Sequence, residues 1–154
     1  MAVTESQIQI AFFDWCRLWA QRPGYSDLAW IFHVPNGGAR SKATAGRMKA
    51  EGVTPGIADV LWLRQRGADP VYGPCYLAIE FKARTGGQTQ AQRQFEAWVK
   101  EKCGVYIVCR SAGEAALAVC EWANWHGDIL ADAQELARRD ADQIAALRAA
   151  GRMT

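Results

Sequence analysis

Cys75-Tyr-Leu-Ala-Ile-Glu-Phe-Lys-Ala83 is the stretch on which the fold turns. Apolar and other residues alternate along it, the period of a strand. Leu77, Ile79 and Phe81 point to one face, and Ala78, Glu80 and Lys82 to the other. The spacing predicts a strand over 75–83 whose first face meets a core. The second face carries an acid and a base two residues apart. Alone, such a pair describes a solvated strand face, so any chemistry depends on what the neighbouring segments bring.

On the N-terminal side, Asp59-Val-Leu-Trp-Leu63 reads as a strand after the Pro55-Gly56 turn. Only a turn-rich link, residues 66–74, separates it from Cys75, so the two strands are expected to be antiparallel. Asp59 then lies across the ladder from Glu80. On the C-terminal side, Thr89 caps a helix carrying Phe95, Trp98 and Val99, and Gly104 ends it. Val105 to Cys109 is a short apolar strand. Ser111 and Glu114 form a capping box for a helix through about Trp122. An Ala-rich polar helix from about Ile129 to Ala150 has a weaker stripe, Leu136, Ile144 and Leu147. At the other end, Thr4 and Gln7 form a capping box. Ile8, Phe12, Trp15 and Trp19 recur at helical spacing, which predicts a helix over 5–21 closed by Pro23-Gly24. Ala29 to Val34 reads as a buried strand with His33 as a core residue, and Ser41 to Glu51 as a short polar helix ended by Gly52. The order α-β-α-β-β-α-β-α, with one more helix, is an α/β domain with a central mixed sheet flanked by helices on both faces.

Composition narrows the class. The 154 residues suit one domain, half of them are hydrophobic and seven are Trp, so the chain can bury a core. A formal net charge of +2 neither demands nor excludes nucleic acid, and local clusters carry more information. The cysteines (16, 75, 103, 109 and 120) are odd in number and lack C-x-x-C spacing, which argues against a disulfide framework or zinc site. They read as small buried hydrophobes in a reducing compartment. The start of the chain lacks the pattern of a signal peptide, and no apolar run reaches membrane length. A soluble, cytoplasmic protein is expected.

Asp59 gives Glu80 and Lys82 a chemical reading. Two carboxylates brought together need compensation, and a hard divalent cation such as Mg²⁺ is a usual one. Lys82 beside it can hold the attacking water and stabilise charge developing on a phosphate. The bland alternative is a surface cross-strand ion pair. Glu5 shares the stripe 5, 8, 12, 15, 19, where a carboxylate is costly unless paired or metal-bound. It is also in a first helical turn, where acids suit the dipole. Residues 36–49 (NGGARSKATAGRMK) hold Arg40, Lys42, Arg47 and Lys49 with no acid, a pattern suited to a phosphate backbone. Lys82, Arg84 and Arg93 flank Gly86-Gly87. No G-x-S-x-G and no Walker A loop is present.

The ordered set Asp59 … Glu80-Phe81-Lys82 resembles the PD-(D/E)XK nuclease signature. The wider context is similar to the VRR-NUC branch of that superfamily. It includes Glu5, Asn36-Gly37-Gly38, Gly46-Arg47, the run Gly52 to Asp59, Leu77 to Lys82, Thr89 to Gln92 with Phe95, and Gly104 to Cys109. The likeness spans roughly residues 4–123. Ala58 stands where members often have Pro; it shapes a turn and is not a ligand. The resemblance implies a restriction-endonuclease-like fold, with a nuclease domain over 1–126 and a C-terminal helical extension over 127–154. It implies Mg²⁺ or Mn²⁺ held by Asp59, Glu80 and the Phe81 carbonyl, completed by Glu5, with Lys82 orienting water. Gln92 would help hold substrate or Lys82, and Arg40, Lys42, Arg47 and Arg84 would contact the DNA backbone. Stand-alone members, of phage and bacterial type, resemble Holliday junction resolvases and tend to be homodimers. The expected function is therefore a structure-selective endonuclease on branched DNA. A flap or nicking nuclease of the same fold and a silent DNA-binding module remain the alternatives.

Overall fold

The computed structural model describes residues 3–35, 42–64 and 75–150. The alternating stretch forms β3, Cys75–Phe81. It pairs antiparallel with β2, Val60–Arg64, and parallel with β4, Val105–Cys109. A short strand β1, Ile31–His33, adds antiparallel to the outer side of β2, giving the order β1-β2-β3-β4. The parallel β3–β4 step is bridged by helix α3, Gln90–Glu101. Such a crossover is what a parallel connection requires.

The two faces of this sheet differ. Leu77, Ile79 and Phe81 pack with Val60, Trp62 and Cys109 on the larger core. That core is closed by α1, Glu5–Ala20, and α4, Ala112–Ala123. From α1 come Ile8, Phe12, Trp15 and Trp19, the residues of the predicted stripe, all buried. The Phe12 and Phe81 rings meet at 5.7 Å between centroids. The other face carries a smaller cluster of Ala58, Ala78, Val99 and Tyr106, flanked by Leu61, Tyr76, Phe95 and Val108, under α3. Because a sheet residue's face is fixed by its parity, Glu80 falls on this second side. The second side is covered, not solvated.

Helix α5, Asp128–Ala149, folds back on α4. Ile129 and Ala133 enter the larger core. The Asp132 carboxylate accepts both indole N–H groups of α1, from Trp15 at 3.0 Å and Trp19 at 2.7 Å. Gly113 allows the close approach, since a Cβ there would stand 2.2 Å from the Ala137 backbone. No helix among the described residues is long and apolar enough to cross a membrane.

Several local expectations change. The segment 29–34 yields only three strand residues, because Ser26–Trp30 forms a 3₁₀ turn that buries Leu28 and leaves Trp30 exposed. His33 is exposed rather than in the core: β1 is an edge strand and only its Ile31 faces inward. Ser111 caps α4 through the Glu114 N–H at 3.1 Å, but the Glu114 side chain takes the Arg110 N–H, not that of Ser111. Cys16, Cys109 and Cys120 are buried, and burial pushes the Cys109 and Cys120 thiols up to about 12. Cys103 is exposed, in the left-handed turn (φ +59°) that ends α3.

Candidate active site

Asp59 is delivered by a tight turn. Gly56 adopts φ +84°, and a Cβ there would lie 2.5 Å from the Ala91 main chain, so glycine lets the turn lie against the first turn of α3. The β2–β3 register starts at Val60↔Ile79, which sets Asp59 beside Glu80. Its Oδ2 accepts the Phe81 N–H at 2.8 Å. Its main-chain oxygen accepts the Val34 N–H at 2.8 Å and lies 2.8 Å from His33 Nδ1. Asp59 therefore ties the ends of three strands together. The Phe81 ring is buried on the opposite face, leaving that residue's main chain at the site.

Glu80 is 1% exposed and held by three donors. Lys82 Nζ donates to Oε1 at 2.6 Å, Gln92 Nε2 donates to the same oxygen, and Tyr106 Oη donates to Oε2 at 3.3 Å. Gln92 is itself oriented. Its Oε1 accepts the Thr89 N–H at 2.8 Å in the capping box of α3, which turns the amide's NH₂ end toward Glu80. One residue thus caps a helix and steadies a carboxylate. Lys82 is also buried, and its N–H bonds the Cys109 carbonyl at 3.0 Å, continuing the β3–β4 pairing one step past the strand.

The electrostatics are those of a crowded acid pair. Burial raises the Glu80 pKa above the usual carboxylate range, and the Asp59 charge adds to it, while the Lys82 ammonium opposes both. Burial likewise raises Asp59, against the pull of the Phe81 N–H and Lys82, with Glu5 adding repulsion. Tyr106 is pushed well up by burial and by the Glu80 charge, so it stays a phenol that donates.

The remaining expected residues divide. Glu5 is exposed in the first turn of α1, and its Oε1 reaches across to accept the Ala83 N–H at 2.9 Å, just past Lys82. Arg110, which the sequence did not single out, braces the same loop by donating to the carbonyls of Ala83 at 2.6 Å and Arg84 at 3.0 Å. The Arg84 side chain is not brought to the carboxylates by any described contact; the residue is exposed. Arg47, on helix α2 (Lys42–Ala50), is exposed and paired with Glu51 at 3.1 Å. Arg40 and the side chain of Lys42 lie outside the described residues.

No three His, Cys, Asp or Glu side chains converge into a ready-made metal cluster among the described residues. The donor set nevertheless suits a hard divalent cation. Asp59 and Glu80 are neighbouring oxygen donors whose ionised forms are both opposed by burial, Glu80 also by the Asp59 charge, with the Lys82 ammonium bonded to Glu80. Two carboxylates against one lysine leave negative charge that a cation would answer.

A solved structure described as a VRR_NUC domain protein superposes with a TM-score of 0.62. The match covers 80% of this chain and 91% of that one, at 21% sequence identity. The chain has the VRR_NUC fold. No family model and no curated protein matches the sequence. Asp59 stands just before β2, and Glu80 and Lys82 stand at the C-terminal end of β3, so the antiparallel pairing of the two strands puts all three at one end of the mixed four-stranded sheet.

Proposed function

We propose that the protein is a Mg²⁺- or Mn²⁺-dependent endodeoxyribonuclease that hydrolyses phosphodiester bonds in branched DNA, in the manner of a Holliday junction resolvase. The observation that carries the reading is the buried Lys82–Glu80 pair at 2.6 Å beside Asp59. A domain built only for stability has little use for an ion pair on a covered sheet face, since desolvation offsets most of its attraction. Asp59, Glu80 and the Phe81 carbonyl would hold the cation, with Glu5 completing the site directly or through water. When bound, the cation supplies Lewis acidity toward the phosphate and lowers the pKa of a water. Lys82 would orient the attacking water and place positive charge near the phosphate as charge develops on it. Gln92 and Tyr106 hold Glu80 in place from behind. Arg40, Lys42, Arg47 and Arg84 are assigned to phosphate contacts, which position DNA without reading its sequence.

Symmetric cutting of two strands needs two sites related by a two-fold axis, so the active species is a homodimer, working in the cytoplasm of a bacterial or phage-infected cell. The test incubates labelled four-way junction, flap, splayed-arm and linear duplex DNA with Mg²⁺, Mn²⁺ or EDTA. Wild type is run beside Lys82→Ala, with light scattering for the oligomeric state. Paired junction cuts that need metal and fall by about 10²–10⁴-fold in the variant are expected. Cuts confined to flaps or duplex, or a strict monomer, would remove the resolvase reading and keep the nuclease. No cleavage of any substrate would leave a DNA-binding module.

A further inference from the structure

Tyr106 lies in an apolar strand, and its neighbours in sequence give no sign of a polar task. In β4 it pairs with Ala78, which puts its side chain on the face that carries Glu80. The ring is 6% exposed and set edge-on to Phe95, with centroids 6.1 Å apart and planes at 71°. This packing aims the hydroxyl at Glu80 Oε2, 3.3 Å away. A buried hydroxyl is costly unless it is bonded, and a phenylalanine would fill the same space without that cost. The separation is longer than the roughly 2.5–3.0 Å usual for a hydroxyl on an oxygen. Bonds within catalytic sites are commonly long without ligands and tighten when the site is loaded.

The two oxygens of Glu80 are therefore divided. Lys82 and Gln92 both take Oε1, and Tyr106 alone among the described residues takes Oε2. A carboxylate held through one oxygen can still turn, because its terminal torsion is soft. A donor on the second oxygen stops that rotation. Resting on the nuclease reading, we infer that Tyr106 is a positioning residue whose hydroxyl fixes the rotation of the Glu80 carboxylate and so sets how tightly the site holds its divalent cation. It acts through Glu80 and has no assigned contact with the cation or the DNA. Groups that orient metal ligands in this way commonly matter by about 10–100-fold in metal affinity.

The experiment compares wild type with Tyr106→Phe, which removes the hydroxyl and keeps the ring against Phe95. Mn²⁺ binding is measured by calorimetry without DNA, and cleavage is followed as a function of Mn²⁺ concentration. An unchanged melting temperature, with Mn²⁺ affinity lower by about tenfold, is the expected result. The half-saturating Mn²⁺ concentration for cleavage should rise by a similar factor, and kcat at saturating metal should be retained. An unchanged metal requirement would overturn the inference and leave the nuclease reading standing. So would a fall in kcat with no change in metal affinity. Failure of wild type to bind Mn²⁺ or cleave would bring down both. Should the variant not fold, wild type labelled with ¹³C at the tyrosine ring is titrated with Mg²⁺, the other tyrosines being assigned by substitution to Phe. The Tyr106 resonance should shift while that of Tyr25 does not, and an unmoved Tyr106 resonance would overturn the inference.

Discussion

The two faces of the sheet solve different problems with the same strands. On the side of α1 and α4, Val60, Trp62, Leu77, Ile79 and Phe81 meet a wide layer of aromatic and aliphatic side chains. Stability there is shared by many contacts. On the side of α3, the apolar cluster is small, and at its edge stand Glu80 and Lys82, both buried. One face holds the strands together. The other uses their rigidity to keep charged groups in a fixed arrangement at a cost in desolvation. Breaking each face should therefore damage a different property.

The largest stability effect is expected on the first face. Phe12 is fully buried and packs at a tilt against the Phe81 ring, so Phe12→Ala removes a ring that neighbouring side chains cannot replace. A loss of about 3–5 kcal/mol in urea unfolding is expected. The second face is more sensitive to backbone geometry than to volume. Gly56→Ala adds a methyl where Ala91 leaves 2.5 Å, at a φ of +84° that side chains rarely adopt. Backbone strain of roughly 1–3 kcal/mol adds to a displacement of the turn that carries Asp59. Unfolding should show the smaller loss, while cleavage should fall more than stability predicts. If Gly56→Ala lost stability alone and kept full activity, the turn would not be setting the position of Asp59.

How far each face could be read from the sequence follows from how local its determinants are. The larger core was legible, because Ile8, Phe12, Trp15 and Trp19 repeat along one helix and Leu77, Ile79 and Phe81 along one strand. The proximity of Asp59 and Glu80 was legible too, since a short antiparallel link leaves little choice of partner strand. Tyr106 was not. Its place opposite Ala78 depends on the register of a parallel pair joined through a helix, which no local pattern encodes. Arg110 was hidden for the same reason, as its acceptors at Ala83 and Arg84 are backbone carbonyls across that crossover. Gln92 was read as a site residue, but its partner came out as Glu80. The capping box that orients its amide becomes decisive only once α3 is laid on the sheet. His33 went wrong because an apolar run does not show whether its strand is central or an edge.

The gentlest test of the comparison is a slope against pH, and it separates the charged face from the rest. Burial raises the pKa of Asp59 and of Glu80 in the folded protein, so the fold favours their protonated forms. Stability from this source is fully present below the ordinary carboxylate pKa. It is lost as pH rises through the raised folded values, because over that interval the folded state binds more protons than the unfolded one. In EDTA, wild type should thus lose stability on going from acid toward neutral pH relative to Asp59→Asn, which cannot ionise at that position. Glu96, whose pKa is lowered first by its bond to Lys100, contributes with the opposite sign. It is common to both proteins and cancels in the difference. Adding Mn²⁺ should flatten the slope of wild type, since a cation that binds the ionised carboxylates favours the form that burial opposes. A slope that is the same with and without Mn²⁺ would mean that the acid pair is simply a strained feature of the fold, and that its charge is not there to receive a metal.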